Sequence, residues 1–150
     1  MIIRVATPAD AGHLARMNAA FNGVSDSAAQ IAARLAACAD IETAILAELD
    51  GQVGGFACVR VVPCLLYAEP YAELTELYVE PSVRRRGLGR ALIAYAEQLA
   101  RARGASELLI MTGVGNAAAQ ALYRAAGYDT YAVALNRKVS GKDGGLRTED

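Results

Sequence analysis

One stretch of the chain, residues 73–91, constrains the fold more than any other. It consists of E-L-T-E-L-Y-V-E-P-S-V-R-R-R-G-L-G-R-A. The apolar run from Leu74 to Val79 predicts a short strand, and Pro81 ends it because proline cannot donate to a sheet ladder. Beyond the following loop, the spacing of apolar residues from Leu88 to Leu99 predicts a helix. The chain must therefore pass from a strand, through a glycine-containing loop, into a helix.

This loop has the features of a phosphate-binding site. Backbone N–H groups in the first turn of a helix have no partner within the helix, and the helix dipole attracts an anion towards them. Gly87 and Gly89 let a ligand approach the backbone closely, while Arg84, Arg85 and Arg86 can form charge-assisted hydrogen bonds with phosphate oxygens. An ordinary turn with solvated arginines would contain the same six residues, so the flanking pattern has to decide between the two interpretations.

Length and charge indicate a single soluble domain. We assign residues 1–139 to it, and residues 140–150, which are glycine-rich and charged without periodicity, to a flexible tail. A net charge of −1 gives no overall attraction to nucleic acid, and no apolar run is long enough to cross a bilayer. Because the first residues also lack the layout of a signal peptide, we expect a cytoplasmic protein with neither nucleic acid nor a membrane as its partner.

The cysteines do not indicate a metal site or a disulfide framework. Cys38, Cys58 and Cys64 are odd in number and lack the spacing of metal ligands, so we expect three reduced thiols and no bound metal. A nucleophilic cysteine activated by His13 is not favoured, because neither residue type lies in a recognisable motif.

The first half of the chain predicts a strand, two helices and a hairpin. Residues 2–6 form the strand, Thr7 caps the first helix, and Ser25 or Asp26 caps the second. Residues 43–62 form the hairpin around an Asp-Gly turn, and its paired glycines, Gly54 and Gly55, indicate a bulge or a close approach of the backbone.

The connection that follows, residues 63–71, is unusually apolar. It is either a loop folded onto the core or, if its side chains are exposed, a substrate wall or a dimer contact.

The second half predicts two further strand–helix units and a last strand. A helix is expected over residues 84–103, a strand over 107–112, a helix over 116–126 and a final strand over 128–135. The complete order, β-α-α-β-β-β-α-β-α-β, implies a mixed sheet with helices on both faces.

Two motifs in this order resemble the GCN5-related N-acetyltransferases, the GNAT superfamily. Residues 84–89 match its acyl-CoA signature, Arg/Gln-x-x-Gly-x-Gly/Ala, after a strand that ends L-Y-V-E-P. Residues 116–128 fill every position of the family pattern N-x-x-A-x-x-L-Y-x-x-x-G-F/Y. The resemblance covers residues 2–135 and implies the GNAT fold, a mixed α/β fold. Its sheet would be mostly antiparallel, with six or seven strands splayed between strands 4 and 5, flanked by about four helices.

The resemblance also implies the cosubstrate and its site. Acetyl-CoA would donate an acetyl group directly to an amine in a ternary complex, without a metal or a covalent enzyme intermediate. Its pyrophosphate would lie on the loop and its pantetheine arm along the preceding strand, where one backbone N–H would stabilise the oxyanion. The implied cofactor-binding residues are Leu77, Tyr78, Val79, Arg84, Arg85, Arg86, Gly87, Leu88, Gly89, Arg90, Asn116 and Tyr123.

Three residues are the catalytic candidates. Tyr123 would protonate the leaving thiolate, and Glu73 or Glu76 would act as the base, directly or through water. Strict alternation places the two glutamates on opposite faces of their strand unless a bulge intervenes. With Glu69 and Glu80 they would make the acceptor mouth acidic and favour a cationic amine.

Several alternatives stay open at this level. A catalytically degenerate protein that binds acyl-CoA as a sensor or assembly partner is the main one, and nucleic-acid binding by the arginines is another. Small amines, amino-bearing antibiotics, amino acids and protein amines all remain candidate acceptors, as do O- and S-acylation. A homodimer is the expected assembly, since homodimers are common in the family.

Overall fold

The computed structural model describes residues 1–138. Within that range the chain forms a sheet flanked by helices. The elements follow in chain order as β1 (Ile2–Val5), α1 (Ala11–Asn22), α2 (Ala28–Ala37), β2 (Glu42–Leu49), β3 (Gln52–Val62), β4 (Tyr71–Val79), α3 (Leu88–Ala102), β5 (Leu109–Ile110) and α4 (Ala117–Ala125). Residues 140–150, expected to be a flexible tail, lie outside the described part.

The strands form one sheet in the order β1-β2-β3-β4-β5. The first four strands pair antiparallel, and β5 pairs parallel to β4 after the crossover through α3. The sheet is therefore mixed and mostly antiparallel, as predicted. The described residues form five strands instead of the expected six or seven.

Capping contacts precede both of the first two helices. Thr7, the predicted N-cap, caps a 3-10 turn over Pro8–Asp10, where the Asp10 carboxylate accepts a hydrogen bond from the Thr7 backbone N–H at 2.7 Å, and α1 follows directly after Asp10. The second cap is Ser27, so the prediction of Ser25 or Asp26 is wrong. Ser27 and Gln30 bond to each other's backbone N–H groups at 3.2 and 2.8 Å, an arrangement that follows from the Ser-x-x-Gln spacing.

The hairpin between β2 and β3 forms as predicted. Asp50 and Gly51 both have positive φ, 53° and 77°, which the Asp-Gly pair tolerates well. The register shifts beside Ala47 and leaves Gly54 as the bulged residue. A Cβ atom on Gly54 would lie 2.8 Å from Val83 Cγ2, so glycine lets β3 pass under the turn that follows β4.

Each face of the sheet has its own apolar core. Helix α3 covers one face, and the buried side chains there include Ile45, Ala57, Val59, Leu74, Leu88, Leu92, Ile93 and Ala96. Helices α1 and α2 cover the other face, where the buried cluster contains Leu14, Met17, Ala44, Leu46, Phe56 and Tyr78. Burial of these side chains supplies most of the driving force that holds the helices to the sheet.

The apolar connection between β3 and β4 projects into solvent. Leu65, Leu66 and Tyr67 are 97%, 84% and 78% exposed, so the loop is not folded onto the core. Its other end is held, because Glu69 is hydrogen-bonded to Ser106.

The C-terminal third differs most from the prediction. The expected strand over residues 107–112 is reduced to β5, and residues 128–135 form no strand, although their apolar residues alternate as in one. A strand needs a neighbouring edge of comparable length, and the outer edge of β5 offers only two residues. The side chains of Tyr131 and Leu135 are accordingly 77% and 93% exposed.

Helix α3 begins four residues later than predicted, at Leu88 instead of Arg84. Arg85 and Gly87 have φ values of 61° and 88°, which lie outside the right-handed helical region. None of the helices within residues 1–138 is long and apolar enough to span a bilayer.

Candidate active site

The sheet opens beyond the point where β5 ends. Only Glu73 and Leu74 of β4 pair with β5, through Leu109 and Ile110. From Thr75 to Val79, the outer edge of β4 has no neighbouring strand among the described residues. We call this segment the β4 opening. An extended ligand arm could pair with such an edge as an added strand would. The predicted residues Leu77, Tyr78 and Val79 all lie in it.

The β4 opening leads directly to the N-terminus of α3. After β4 the chain makes one 3-10 turn over Pro81–Val83, passes through residues 84–87, which we call the arginine loop, and enters the helix. Gly87 is the N-cap and has no side chain to bond the free N–H groups of the first turn. These groups at the start of a 15-residue helix make a site suited to an anion.

Gly87 and Gly89 serve different structural purposes. Gly87 takes the left-handed conformation, with φ at 88°. A Cβ atom on Gly89 would lie 3.2 Å from Leu122 Cδ2, so this glycine lets α3 and α4 pack closely together. The close approach at Gly89 is therefore between two helices.

Three of the four predicted arginines bind protein groups. Arg84 Nε donates to the Val79 carbonyl oxygen at 2.9 Å and ties the arginine loop to the end of β4. Arg86 pairs with Asp50 at 3.0 Å, and Arg90 donates to the Ala125 carbonyl oxygen at the end of α4 at 3.2 Å. The side chain of Arg85 is exposed and makes no hydrogen bond with residues 1–138. It is thus the arginine best able to reach a ligand.

A bulge brings the two candidate bases to one face of β4, as the sequence allowed. Glu73 lies between Ala72 and Leu74, which both pack towards α3, so it points to the α1/α2 face. Glu76 pairs across the sheet with Cys58, which packs in the α1/α2 cluster. The register shifts between these positions, so the two carboxylates share the α1/α2 face of the sheet.

The two glutamates differ in burial and in partners. Glu73 is 8% exposed, and its carboxylate accepts a hydrogen bond from the Tyr71 hydroxyl at 3.3 Å. Glu76 is half-buried and accepts one from Asn22 at the end of α1, also at 3.3 Å. Burial and the neighbouring carboxylates raise the pKa of the Cys58 thiol to about 12, so this thiol is protonated at neutral pH.

Glu69 and Glu80 do not join Glu73 and Glu76 in an acidic mouth. Glu69 bonds Ser106, and Glu80 pairs with Arg16 of α1 at the far end of β4. The expectation that all four glutamates line one mouth is therefore wrong. Glu80 lies on the α1/α2 side but is ion-paired and lines a cavity with Arg16, and Glu69 is bonded beyond the other end of β4.

Glu42 is the third carboxylate beside Glu73 and Glu76, and no motif in the sequence pointed to it. Cross-strand pairing aligns Glu42 with Arg60 and Arg60 with Glu73, which places all three side chains on the same face. Arg60 lies 3.4 Å from the Glu42 carboxylate. Counting outward from the Asp-Gly turn, with one residue skipped for the bulge at the paired glycines, would have paired Glu42 with Arg60 and drawn attention to this row.

Tyr123 lies on the opposite side of the sheet from the glutamates. It projects from α4 and packs at the border of the α3-side core, with its ring centroid 6.3 Å from that of Tyr128. Burial raises the pKa of Tyr123 above the usual value for a phenol. At neutral pH its hydroxyl therefore carries a proton that it can donate.

Asn116 has a structural task that the sequence already suggested. It is the N-cap of α4, and its side-chain oxygen accepts a hydrogen bond from the Ala119 N–H at 3.1 Å. Its amide NH₂ is left for other partners.

His13, the chain's single histidine, lines a different cavity. That cavity, of about 500 Å³, lies between α1, β1, the tip of the β2–β3 hairpin and Glu80. No group of three or more metal-ligating side chains occurs within residues 1–138.

Comparison with known proteins identifies relatives of this chain. The model of the Acetyltransferase (GNAT) family matches residues 16–128. An aminoglycoside N(6')-acetyltransferase type 1 of Klebsiella aerogenes is 40% identical over 81 residues, 53% of each chain. The matched region is therefore about half of that relative's length. A protein of the same name from Stenotrophomonas maltophilia is 31% identical over 130 residues, 85% of each chain.

The fold is shared with solved structures as well. The structure of AAC(6')-Iy in complex with a bisubstrate analogue, CoA-S-monomethyl-acetylneamine, superposes with a TM-score of 0.80. The superposition covers 91% of this chain and 97% of that one, at 23% identity. At this identity the likeness is one of fold.

Proposed function

The chain belongs to the acetyltransferase (GNAT) family, and from this premise we propose that it transfers an acetyl group from acetyl-CoA to a primary amine of a cationic small molecule. Acetyl-CoA is the cosubstrate that enzymes of this family use. The transfer proceeds by direct attack of the amine within a ternary complex of protein, acetyl-CoA and acceptor.

The observation that carries this proposal is the position of the β4 opening. The N-terminus of α3 lies at one end of it, the carboxylates of Glu73 and Glu76 lie on one face of the sheet, and Tyr123 lies on the other. A thioester held in the opening would be within the sheet plane, so groups from both faces could approach it.

The arginine loop and the start of α3 fit the pyrophosphate of CoA. Free N–H groups, a glycine N-cap without a side chain and the helix dipole all favour an anion there. In this proposal Arg85 adds a charge-assisted hydrogen bond to phosphate, while Arg84 and Arg86 hold the shape of the loop. The backbone of Leu77–Val79 pairs with the pantetheine arm.

The chemistry requires two proton movements and one acyl transfer. The amine nitrogen attacks the thioester carbonyl carbon, a carbon–nitrogen bond forms, and the carbonyl oxygen gains negative charge that a backbone N–H of β4 stabilises. Glu76, directly or through water, takes a proton from the amine, with Glu73 as the alternative base. The carbon–sulfur bond then breaks.

Tyr123 supplies the proton that the departing thiolate needs. Because burial raises the pKa of this phenol, it stays protonated at the pH where the amine is attacked. An acyl-enzyme intermediate on Cys58 is disfavoured, since the raised pKa of that thiol keeps the thiolate scarce. The raised pKa of Cys58 thus supports direct transfer.

Charge supports a cationic acceptor. Glu42, Glu73 and Glu76 share one face of the sheet with a single arginine, Arg60, among their cross-strand partners. An acidic surface of this kind raises the local concentration of cations. The two bacterial relatives are named as aminoglycoside N(6')-acetyltransferases, and aminoglycosides are polycationic amines.

We further propose that residues 1–139 act as one domain, in the cytoplasm and as a homodimer. Three free thiols, Cys38, Cys58 and Cys64, suit a reducing compartment. The exposed Leu65, Leu66 and Tyr67 offer an apolar contact surface, which light scattering of Leu65→Ser and Leu66→Ser variants would test.

A thiol-release assay tests the proposed activity. The protein is incubated with acetyl-CoA and, in separate reactions, with an aminoglycoside that carries a 6'-amine, a linear polyamine, a neutral amino acid amide and an anionic amine. Release of CoA that depends on the cationic amines, with an acetylated product seen by mass spectrometry, is the expected result. Binding of acetyl-CoA without release in any reaction would contradict the proposal and favour the acyl-CoA-binding alternative.

A further inference from the structure

Thr75 is the residue that the bulge of β4 inserts. Cys58 of β3 pairs with Glu76, and the next residue, Val59, pairs with Leu74, so Thr75 has no cross-strand partner. This one extra residue changes which face Glu76 points to. Anything that stabilises the bulge therefore also fixes the arrangement of the candidate bases.

The Thr75 side chain contacts groups on β3 and on β2. Its hydroxyl oxygen lies 3.2 Å from the Cys58 carbonyl oxygen of β3, a group next to the register shift. The same hydroxyl donates to the Glu42 carboxylate of β2. A hydroxyl has one proton and so donates fully to only one acceptor at a time, and the charged carboxylate is the stronger one.

Glu42 is itself held in place. It lies on β2, on the far side of β3 from β4, so its bond to Thr75 spans the intervening strand. Arg60, its cross-strand partner on β3, contacts the same carboxylate at 3.4 Å. Thr75, Glu42 and Arg60 thus form a chain of polar contacts over three neighbouring strands.

We propose that Thr75 is a positioning residue for the acetyl transfer, which it serves by bonding Glu42 and so holding the bulge that places Glu73 and Glu76 on one face of β4. The inference rests on the proposed function. Glu42 therefore has a role besides its charge, because it anchors the hydroxyl that maintains the bulge.

Steady-state kinetics of Thr75→Val and Thr75→Ser test this role. Valine keeps the branched shape and removes the hydroxyl, whereas serine keeps the hydroxyl. We expect Thr75→Val to lower kcat about tenfold, because small displacements of reacting groups are costly, and to change the KM for acetyl-CoA less than about twofold. Thr75→Ser should retain most of the wild-type kcat.

Thr43→Val is the matched control. Thr43 is also a strand threonine, but it pairs with Val59 on the α3 face and its hydroxyl accepts a hydrogen bond from Arg103 at 2.8 Å. The same substitution there removes a hydroxyl without touching the bulge, and kcat should stay at the wild-type value. A fall in kcat equal to that of Thr75→Val would overturn the proposal.

A double-mutant cycle with Glu42→Ala isolates the contact. If Thr75 acts through Glu42, the double variant should be about as slow as the slower single variant, since the second change removes nothing further. Multiplicative effects of the two changes would contradict the proposal. If Thr75→Val is unfolded at the assay temperature, Glu42→Ala alone must still lower kcat while leaving the Kd for acetyl-CoA unchanged.

The outcomes separate this proposal from the one on which it rests. A wild-type protein that binds acetyl-CoA but acetylates no amine contradicts the proposed function. An active wild type with an equally active Thr75→Val variant contradicts only the positioning role.

Discussion

The two faces of β4 present different kinds of side chain, although the residues alternate along the same strand. On the α3 side, Leu74, Leu77 and Val79 pack against an apolar core. On the α1/α2 side, Glu73 and Glu76 hold carboxylates against hydrogen-bond donors from Tyr71 and Asn22. One face anchors the strand and the other presents ionisable groups.

This difference shows that the side chains on the two faces of β4 are held in position by different interactions. Close packing fixes the α3 side, because a well-filled core resists displacement of its side chains. On the other face, hydrogen bonds hold the carboxylates of Glu73 and Glu76, and a bulge sets the face to which they point. Substitutions on the two faces should therefore change different measured quantities.

The largest expected effect is on the carboxylate face. Glu76→Gln should lower kcat by about 10²- to 10⁴-fold, the usual contribution of a general base, with little change in the free energy of unfolding. Glu73→Gln, measured in parallel, shows whether the more buried carboxylate contributes. If both variants turn over at the wild-type rate, neither glutamate is the base.

Leu74, the residue next to Glu73, should affect stability and leave catalysis unchanged. Leu74 is 3% exposed, and Leu74→Ala should cost about 2–5 kcal/mol of folding free energy through lost burial and a residual cavity. Urea unfolding measures that cost, and kcat at a temperature where the variant is folded should be close to that of the wild type. A stable but inactive Leu74→Ala protein would contradict the expectation that the α3 face serves stability and the carboxylate face serves catalysis.

A smaller effect is expected from Tyr123, the proposed proton donor on the α3 side. Tyr123→Phe should lower kcat about tenfold, because water can partly replace a proton donor to the thiolate. The usual pKa of a tyrosine phenol is about 10. Because the pKa of Tyr123 is raised above that value, the phenol stays protonated between about pH 7 and pH 9.5, and its ionisation should not lower wild-type kcat in that range. An alkaline fall within that window that disappears in Tyr123→Phe would contradict this.

The smallest effect concerns the arginine loop at the end of β4. Arg85→Ala should weaken acetyl-CoA binding about threefold to tenfold through loss of a charge-assisted bond, and added salt should reduce the difference. Arg86→Ala is the comparison, because Arg86 already pairs with Asp50 and should matter less for binding. A larger loss from Arg86→Ala would reverse the assigned roles.

Local signals predicted much of this fold. The Asp-Gly turn, the paired glycines and the apolar runs were sufficient for β2, β3 and their bulge, because each depends on residues close in sequence. Asn116 and Gly127 likewise bounded α4 correctly. The bulge in β4 was foreseen only as a condition for bringing Glu73 and Glu76 together.

The remaining errors involve partners that are distant in sequence. Alternation over residues 128–135 predicted a strand, but alternation cannot supply the neighbouring edge that β5 is too short to provide. The pairing of Glu80 with Arg16 and the place of Glu42 depend on contacts 64 and 33 residues apart. The arginine run likewise did not reveal which guanidinium binds Val79 and which stays exposed.

The central claim is that acetyl-CoA binds through the N-terminus of α3, and isothermal titration tests it most directly. Gly87→Asp places a carboxylate at that terminus, and Gly104→Asp is its control at the other end of the same helix. The two glycines have nearly equal φ, 88° and 89°, so the backbone strain is matched. We predict binding by the wild type and by Gly104→Asp, and loss of binding in Gly87→Asp. Equal binding by all three proteins would contradict the claim.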